Sequence, residues 1–217
     1  MCPESRISGF IQENVKDFFD EIEIDPLGSI ICKKFSKKKV KQKILLLCHM
    51  DEIGFLVSHI NSKGFLFVDP VGGFDPRNLF SRRVLVCTEN GDYKAVMNPP
   101  GKPVHTQSAM DRKKIPEPNE LFIDMGIGEK AKDKVKIGDF VVMDEPFLEL
   151  SDKVVSKALD NRIACWLGME LAKYIHENKL ELDNDLYIVF TSQEEVGLRG
   201  AKTASFAVNP DIAIGID

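Results

Sequence analysis

The sequence has no long apolar run. Its most hydrophobic stretches, such as 44–48 (ILLLC), meet charge within a few residues, and none approaches the ~20 apolar residues that a membrane-spanning helix needs. No membrane segment is expected. The start, MCPESRISGF, lacks a basic stretch leading into an apolar one, so no secretory signal is read there and the cytoplasm is the expected location. Cysteine is sparse and without pattern: Cys2, Cys32, Cys48, Cys87 and Cys165 are odd in number, scattered, and never in a C-x-x-C arrangement. They read as reduced thiols, with Cys48 and Cys165 as core residues to which no chemistry is assigned. Positive charge is also in short supply. With 29 Lys and Arg against 34 Asp and Glu, the formal charge is -5 and the pI is near 5.5, which argues against nucleic acid as a partner. The one basic run, 33–43, reads as a solvated hairpin or loop.

What is present suits a folded core, with 43% hydrophobic and 29% charged residues in a chain of 217. Ile7, Ile11, Val15 and Phe18 recur near helical spacing and predict a helix over 7–19. Asp25-Pro26-Leu27-Gly28 then closes that segment and leads into a strand at 29–32. The continuous apolar run 44–48 predicts a strand buried on both faces, which delivers His49 and Asp51 at its carboxyl end. From 53 to 143 short strands alternate with turns, and Asn90-Gly91 predicts a hairpin because both residues tolerate positive φ. Residues 111–118 are expected to form an exposed, mobile loop. Asp160-Asn161 is expected to cap a helix whose stripe Ile163, Leu167, Leu171 and Ile175, with Trp166 and Tyr174 beside it, faces a sheet. Further buried strands are predicted at 185–192 and 212–217, with a short helix at 201–206 between them. The fold class is α/β, a doubly wound domain drawn from 1–52 and 150–217 and interrupted by a small β-rich insert over 53–149.

Three predicted strands end in polar residues, and open α/β sheets place their ligands at the carboxyl ends of their strands. The candidates are His49, Asp160 at the helix start, Glu194 and Glu195, and Asp217. Taken singly each has an ordinary reading: His49 as a core histidine, Asp160 as a helix cap, Glu194 and Glu195 as surface acids, Asp217 as a terminal residue. The glutamate pair stands out, because adjacent carboxylates after an apolar strand repel unless a cation lies between them. Together the residues are what a hydrolytic metal site needs: an imidazole, carboxylates, and one acid free to take a proton from water.

The segments ILLLCHMDEIGF, VGGFDPRNLF, KALDNRIAC, TSQEEVGLRGA and IAIGID, in this order, resemble the successive signatures of the M42 metallo-aminopeptidases of glutamyl and tetrahedral aminopeptidase type. Asp25-Pro26-Leu27-Gly28, Leu121-Phe122-Ile123-Asp124 and Ile137-Gly138-Asp139 add to the match, which covers essentially the whole chain. The resemblance implies a zinc-peptidase-like catalytic domain and two divalent metal ions, with zinc, cobalt or manganese suited to one His and several carboxylates. It implies that His49, Asp160 and Asp217 hold one ion, that Asp160 is shared with a second ion bound by Glu195, that Glu194 is the general base, and that Asp51 orients the site through the ligating imidazole. Peptides would be the substrates, cleaved at their free amino end. The insert implies self-association of a dodecamer type.

The family's second ion also takes a histidine downstream of the position matched by Asp217, and no residue here corresponds to it. His59, His105 and His176 read as poor substitutes, His176 being accounted for by the end of its helix. The chain is therefore expected to be a fragment of a longer protein, with apolar faces left exposed. A second reading is a catalytically impaired product that keeps the fold and self-association only. Glycoside hydrolysis is set aside, since its two carboxylates face each other roughly 5 to 9 Å apart across a bond, whereas Glu194 and Glu195 are chain neighbours.

Overall fold

Parallel strands need long crossovers and antiparallel strands need only turns; the chain builds a mixed sheet in one unit and pairs its strands only antiparallel in the other. A computed structural model describes residues 3–217, so Cys2 lies outside the described residues. In chain order the elements are α1 (Pro3–Val15), β1 (Glu21–Ile24), β2 (Ile30–Lys34), β3 (Lys43–His49), β4 (Gly54–Ile60), β5 (Leu66–Val71), β6 (Arg82–Thr88), β7 (Gly91–Asn98), β8 (Phe122–Asp124), β9 (Phe140–Met143), β10 (Leu148–Leu150), β11 (Lys153–Val155), α2 (Leu159–Glu177), β12 (Asp185–Thr191), α3 (Arg199–Val208) and β13 (Ile212–Ile216). One unit takes 4–52 and 158–217, the other 53–157. The chain leaves the second unit at 157/158 rather than at 149/150. The reason is local: β10 and β11 pair antiparallel with each other, and a boundary at 150 would cut that hairpin.

The first unit is an α/β layer around a five-stranded sheet in the order β1-β2-β12-β3-β13. β12, β3 and β13 are parallel, while β2 runs antiparallel to β12 and β1 to β2. Successive side chains of a strand point to opposite faces, and both faces here are apolar. Cys48, Ile188 and Phe190 pack with Ile11 and Val15 of α1 and with Ala164, Cys165 and Ala172 of α2. Leu45, Tyr187 and Val189 pack on Ala204 and Val208 of α3. Burial of a side chain such as Ile188 or Phe190, both fully enclosed, contributes roughly 1.5–3 kcal/mol. The double coverage explains why 44–48 and 186–190 read as unbroken apolar runs.

Three expectations need correction in this unit. β1 is an additional strand that the alternating EIEI does not announce, so the helix ends at Val15 and Asp25-Pro26-Leu27-Gly28 turns a β1–β2 hairpin. α2 presents its small face to the sheet: Ala164, Cys165, Gly168, Ala172 and Ile175 are buried, whereas Ile163, Trp166, Leu167, Leu171 and Tyr174 are exposed. Helix and sheet approach so closely at Gly168 that an added Cβ would lie 3.2 Å from Ile188 and 3.3 Å from Phe190, which leaves no room for the larger stripe. β13 is an edge strand with Ile212 and Ile214 about half exposed, not a buried one.

The second unit is a closed barrel in the order β4-β5-β8-β7-β6-β9. Residues two apart on each strand fill it, among them Phe55 and Val57, Leu66 and Val68, Val84 and Val86, and Ala95 and Met97. That period of two is the signature of one face turned inward. Closure also leaves no strand edge open to another chain. The β6–β7 hairpin forms with Thr88 opposite Gly91, so its turn residues are Glu89 and Asn90 and the positive φ of 125° falls on Gly91 as β7 begins.

Candidate metal centre

Register alone brings the predicted strand ends together. Thr191 lies beside His49 and Ile216 beside Cys48, so the carboxyl ends of β12, β3 and β13 form one edge, with Ser192 to Glu195 and Asp217 just beyond it. Gln193 has a φ of 55°, a left-handed conformation that turns the chain out of β12 immediately before the two glutamates. Asp160 and Asn161 have non-helical φ and ψ at the start of α2 and are joined by a cis peptide bond. The helix cap is Asn161 rather than Asp160, because Asn161 Oδ1 accepts from the N–H of Ala164 at 3.2 Å.

His49 is the centre of the arrangement. Its Nε2 lies 3.0 Å from Asp160 Oδ1, 3.8 Å from Asp217 Oδ1 and 3.9 Å from Glu194 Oε2. Two sets of donors therefore have mutual distances within 4.8 Å, His49 with Asp160 and Asp217, and His49 with Glu194 and Glu195. All six predicted site residues converge. His49 and Asp51 are buried, Glu194 and Glu195 half-buried, and the side chains of Asp160 and Asp217 more than two-thirds exposed, so the cluster has a closed floor and an open side. His59, His105 and His176 belong to neither set. His176 instead packs against Phe18 with ring centroids 5.3 Å apart.

Asp51 forms the floor. Its two oxygens accept the backbone N–H groups of Glu194 and Glu195 at 3.1 Å each, tying the end of β3 to the glutamate loop. His49 Nδ1 comes to 3.6 Å from Asp51 Oδ1, an ion-pair distance but too long for a hydrogen bond, and this nitrogen is buried without a hydrogen-bond partner. Burial opposes a charged His49, but Asp51, Glu194 and Asp160 outweigh it and hold the imidazole up at about 9. Burial likewise opposes charge on Asp51, yet the His49 contact and the two backbone donors keep its carboxyl below the usual range. Glu195 is pushed up, by burial first and by the Asp160 charge second.

The donor set fits a divalent cation. Five carboxylates crowd one imidazole, like charges at this spacing repel, and a proton on His49 is the one positive charge that the six residues can supply among themselves. Nitrogen and carboxylate oxygen are the ligand types that zinc, cobalt and manganese accept. Three neighbours of the cluster are not candidates in the sequence reading: Asn161, Arg162 and Glu52. Asn161 and Arg162 fall inside the KALDNRIAC segment and Glu52 inside ILLLCHMDEIGF, but nothing in their spacing announces that Arg162 Nη2 donates to Glu52 Oε1 at 2.9 Å across 110 positions.

Residues 28–217 match the family described as M42 glutamyl aminopeptidase. A relative from Acetivibrio thermocellus is 40% identical over 216 residues, covering 99% of this chain and 60% of its own length. The lysyl aminopeptidase of Pyrococcus furiosus is 33% identical over 216 residues, with 97% and 60% covered. Among solved structures, the TET1 peptidase of Pyrococcus horikoshii, which can assemble into a tetrahedron or a large octahedral shell, superposes with a TM-score of 0.87 at 34% identity, over 99% of this chain and 63% of that one. The chain thus spans about three-fifths of the length of these relatives. The family match over 28–217, the identity to these relatives and the shared fold agree: the chain belongs to the M42 glutamyl aminopeptidase family.

Proposed function

We propose that this chain carries the metal-binding core of an aminopeptidase that removes N-terminal residues from peptides. The observation that carries the reading is the convergence on His49 Nε2 of Asp160, Asp217 and Glu194, from three separate chain segments, within 3.9 Å. In this reading His49, Asp160 and Asp217 hold one divalent ion, while Asp160 and Glu195 reach a second. When bound, such ions polarise a peptide carbonyl and lower the pKa of water at the site. Glu194 takes the proton from the attacking water and returns it to the leaving amine. Asp51 holds the imidazole from behind and fixes both glutamates through their backbone N–H groups. Asp160 and Asp217 lie on the open side, and a substrate's free α-amine would anchor there, near one of the ions.

The two ions receive unequal support from this chain, three side chains against two. Calorimetric titration with zinc, cobalt and manganese is expected to give one tight and one weak class of site, with metal-stimulated cleavage of leucine-, lysine- or glutamate-p-nitroanilide. Absence of any tight site in the parent, or a tight site untouched by His49→Ala, would overturn the reading. We also infer self-association, supported by the assembling TET1 relative, which light scattering on a sizing column tests. The cytoplasm is kept as the location on the support of Cys32, Cys48 and Cys165, which are buried thiols.

A further inference from the structure

The three donors proposed for the first ion sit on three segments: the end of β3, the start of α2 and the residue after β13. Carboxylates gathered without a cation repel, and Asp160 and Asp217 are largely exposed, so their own packing does little to hold them at ligand spacing. The two residues after Asp160 supply the missing restraint. Arg162 Nη2 donates to Glu52 Oε1 at 2.9 Å, and its Nε donates to the carbonyl oxygen of Met50 at 3.4 Å, so one guanidinium grips the chain on both sides of Asp51. The Glu52 side chain is only 8% exposed, which makes this a sheltered ion pair rather than a surface one. Asn161, 1% exposed, reaches the other way. Its Nδ2 donates to the carbonyl oxygen of Ile216 at 2.6 Å and stands 3.4 Å from Asp217 Oδ1, while its Oδ1 caps α2 through Ala164. Both the nitrogen and the oxygen of that side-chain amide are thus engaged, the nitrogen with the segment bearing Asp217.

We propose that Asn161 and Arg162 are positioning residues of the metal centre: Arg162 sets Asp160 against the segment bearing His49, and Asn161 sets it against the segment bearing Asp217. This rests on the metal reading above. Residues that orient ligands from behind change metal affinity by ~10–100-fold when altered, because a ligand displaced by a fraction of an ångström no longer meets the ion. A residue that merely stabilises the fold does not, so long as the protein stays folded at the temperature of the titration.

The variants are chosen to keep the fold. Asn161→Ser retains a helix-capping oxygen but is too short to reach Ile216. The pair Glu52→Gln with Arg162→Met removes the grip without leaving a buried charge alone, and Arg162→Lys restores charge with a single point of attachment. Each full-length protein is stripped with chelator, its melting midpoint recorded, and then titrated with cobalt(II) below that midpoint, following heat and the visible absorption band. The expected result is a ~10–100-fold weaker first site with an altered cobalt band for Asn161→Ser and for the Glu52→Gln/Arg162→Met pair, and an intermediate affinity for Arg162→Lys. Affinity and band within twofold of the parent, whatever the melting midpoint does, would overturn the proposal. His49→Ala serves as the separate control: if it too binds cobalt as the parent does, the metal reading itself has failed, and if only it loses the ion, the positioning role alone has failed.

Discussion

Both oxygens of Asp51 are engaged by the N–H groups of Glu194 and Glu195, so removing its carboxylate strands two backbone donors in a half-buried loop. Hydrogen bonds to a charged acceptor contribute ~1.5–3 kcal/mol each, and Asp51→Ala is expected to cost about 2–5 kcal/mol in urea unfolding, with the His49 pKa falling toward its ordinary value in an NMR titration. An unchanged His49 titration would show that the imidazole is held up by the other acids. His49 also governs the pH dependence of the metal-free protein. Its folded value of about 9 lies above the ordinary 6.5, so the folded state holds that proton more tightly. The resulting stabilisation, on the order of 1–3 kcal/mol, is complete below the ordinary value and is lost as pH rises through the folded one. Chelator-treated protein unfolded in urea at about pH 6 and about pH 9.5 should show that loss, and His49→Gln should remove this part of it. Metal must displace the same proton, so affinity for the ion should rise by up to ~10-fold per pH unit over the same window.

At the scale of elements, close approaches decide where the acids end up. A Cβ at Gly200 would lie 2.3 Å from the carbonyl oxygen of Ser192 and 2.7 Å from Ser29 Oγ, so the start of α3 presses directly on the segment leading to Glu194. Gly200→Ala is expected to destabilise by about 1–3 kcal/mol and to weaken metal binding as well, because the backbone that must yield is the one that carries the glutamates. Calorimetry that found full metal affinity with lowered stability would separate the two effects. β3 and β12 were legible from residues 44–48 and 186–190, because a strand covered on both faces has no polar positions. β1 was not, since EIEI at a sheet edge alternates like a surface segment. In α2 two apolar stripes compete, and the helix turned Ala164, Gly168 and Ala172 inward because the sheet lies too near for Leu167 and Leu171.

On the scale of the whole molecule the two units differ in how their chain is used. The barrel comes from the single stretch 53–157 and has its own core, so that fragment is expected to fold alone, with a cooperative thermal transition and dispersed amide resonances. A broad, non-cooperative melt would show that it depends on its flanks. The other unit cannot be cut this way, since β3 from the first segment pairs between β12 and β13 from the last. What the sequence by itself determined is local: apolar runs that must be strands, the polar residues at their ends, a β-rich stretch between them, and the motif order that marks the family. Period and burial act over a few residues, and a linear chain displays them. Only the tertiary structure decided which face of α2 meets the sheet, that the insert closes into a barrel, and that Arg162 grips Glu52 beside the donors. Those outcomes depend on register and on contacts between residues 110 positions apart, where the shape of each surface selects its partner.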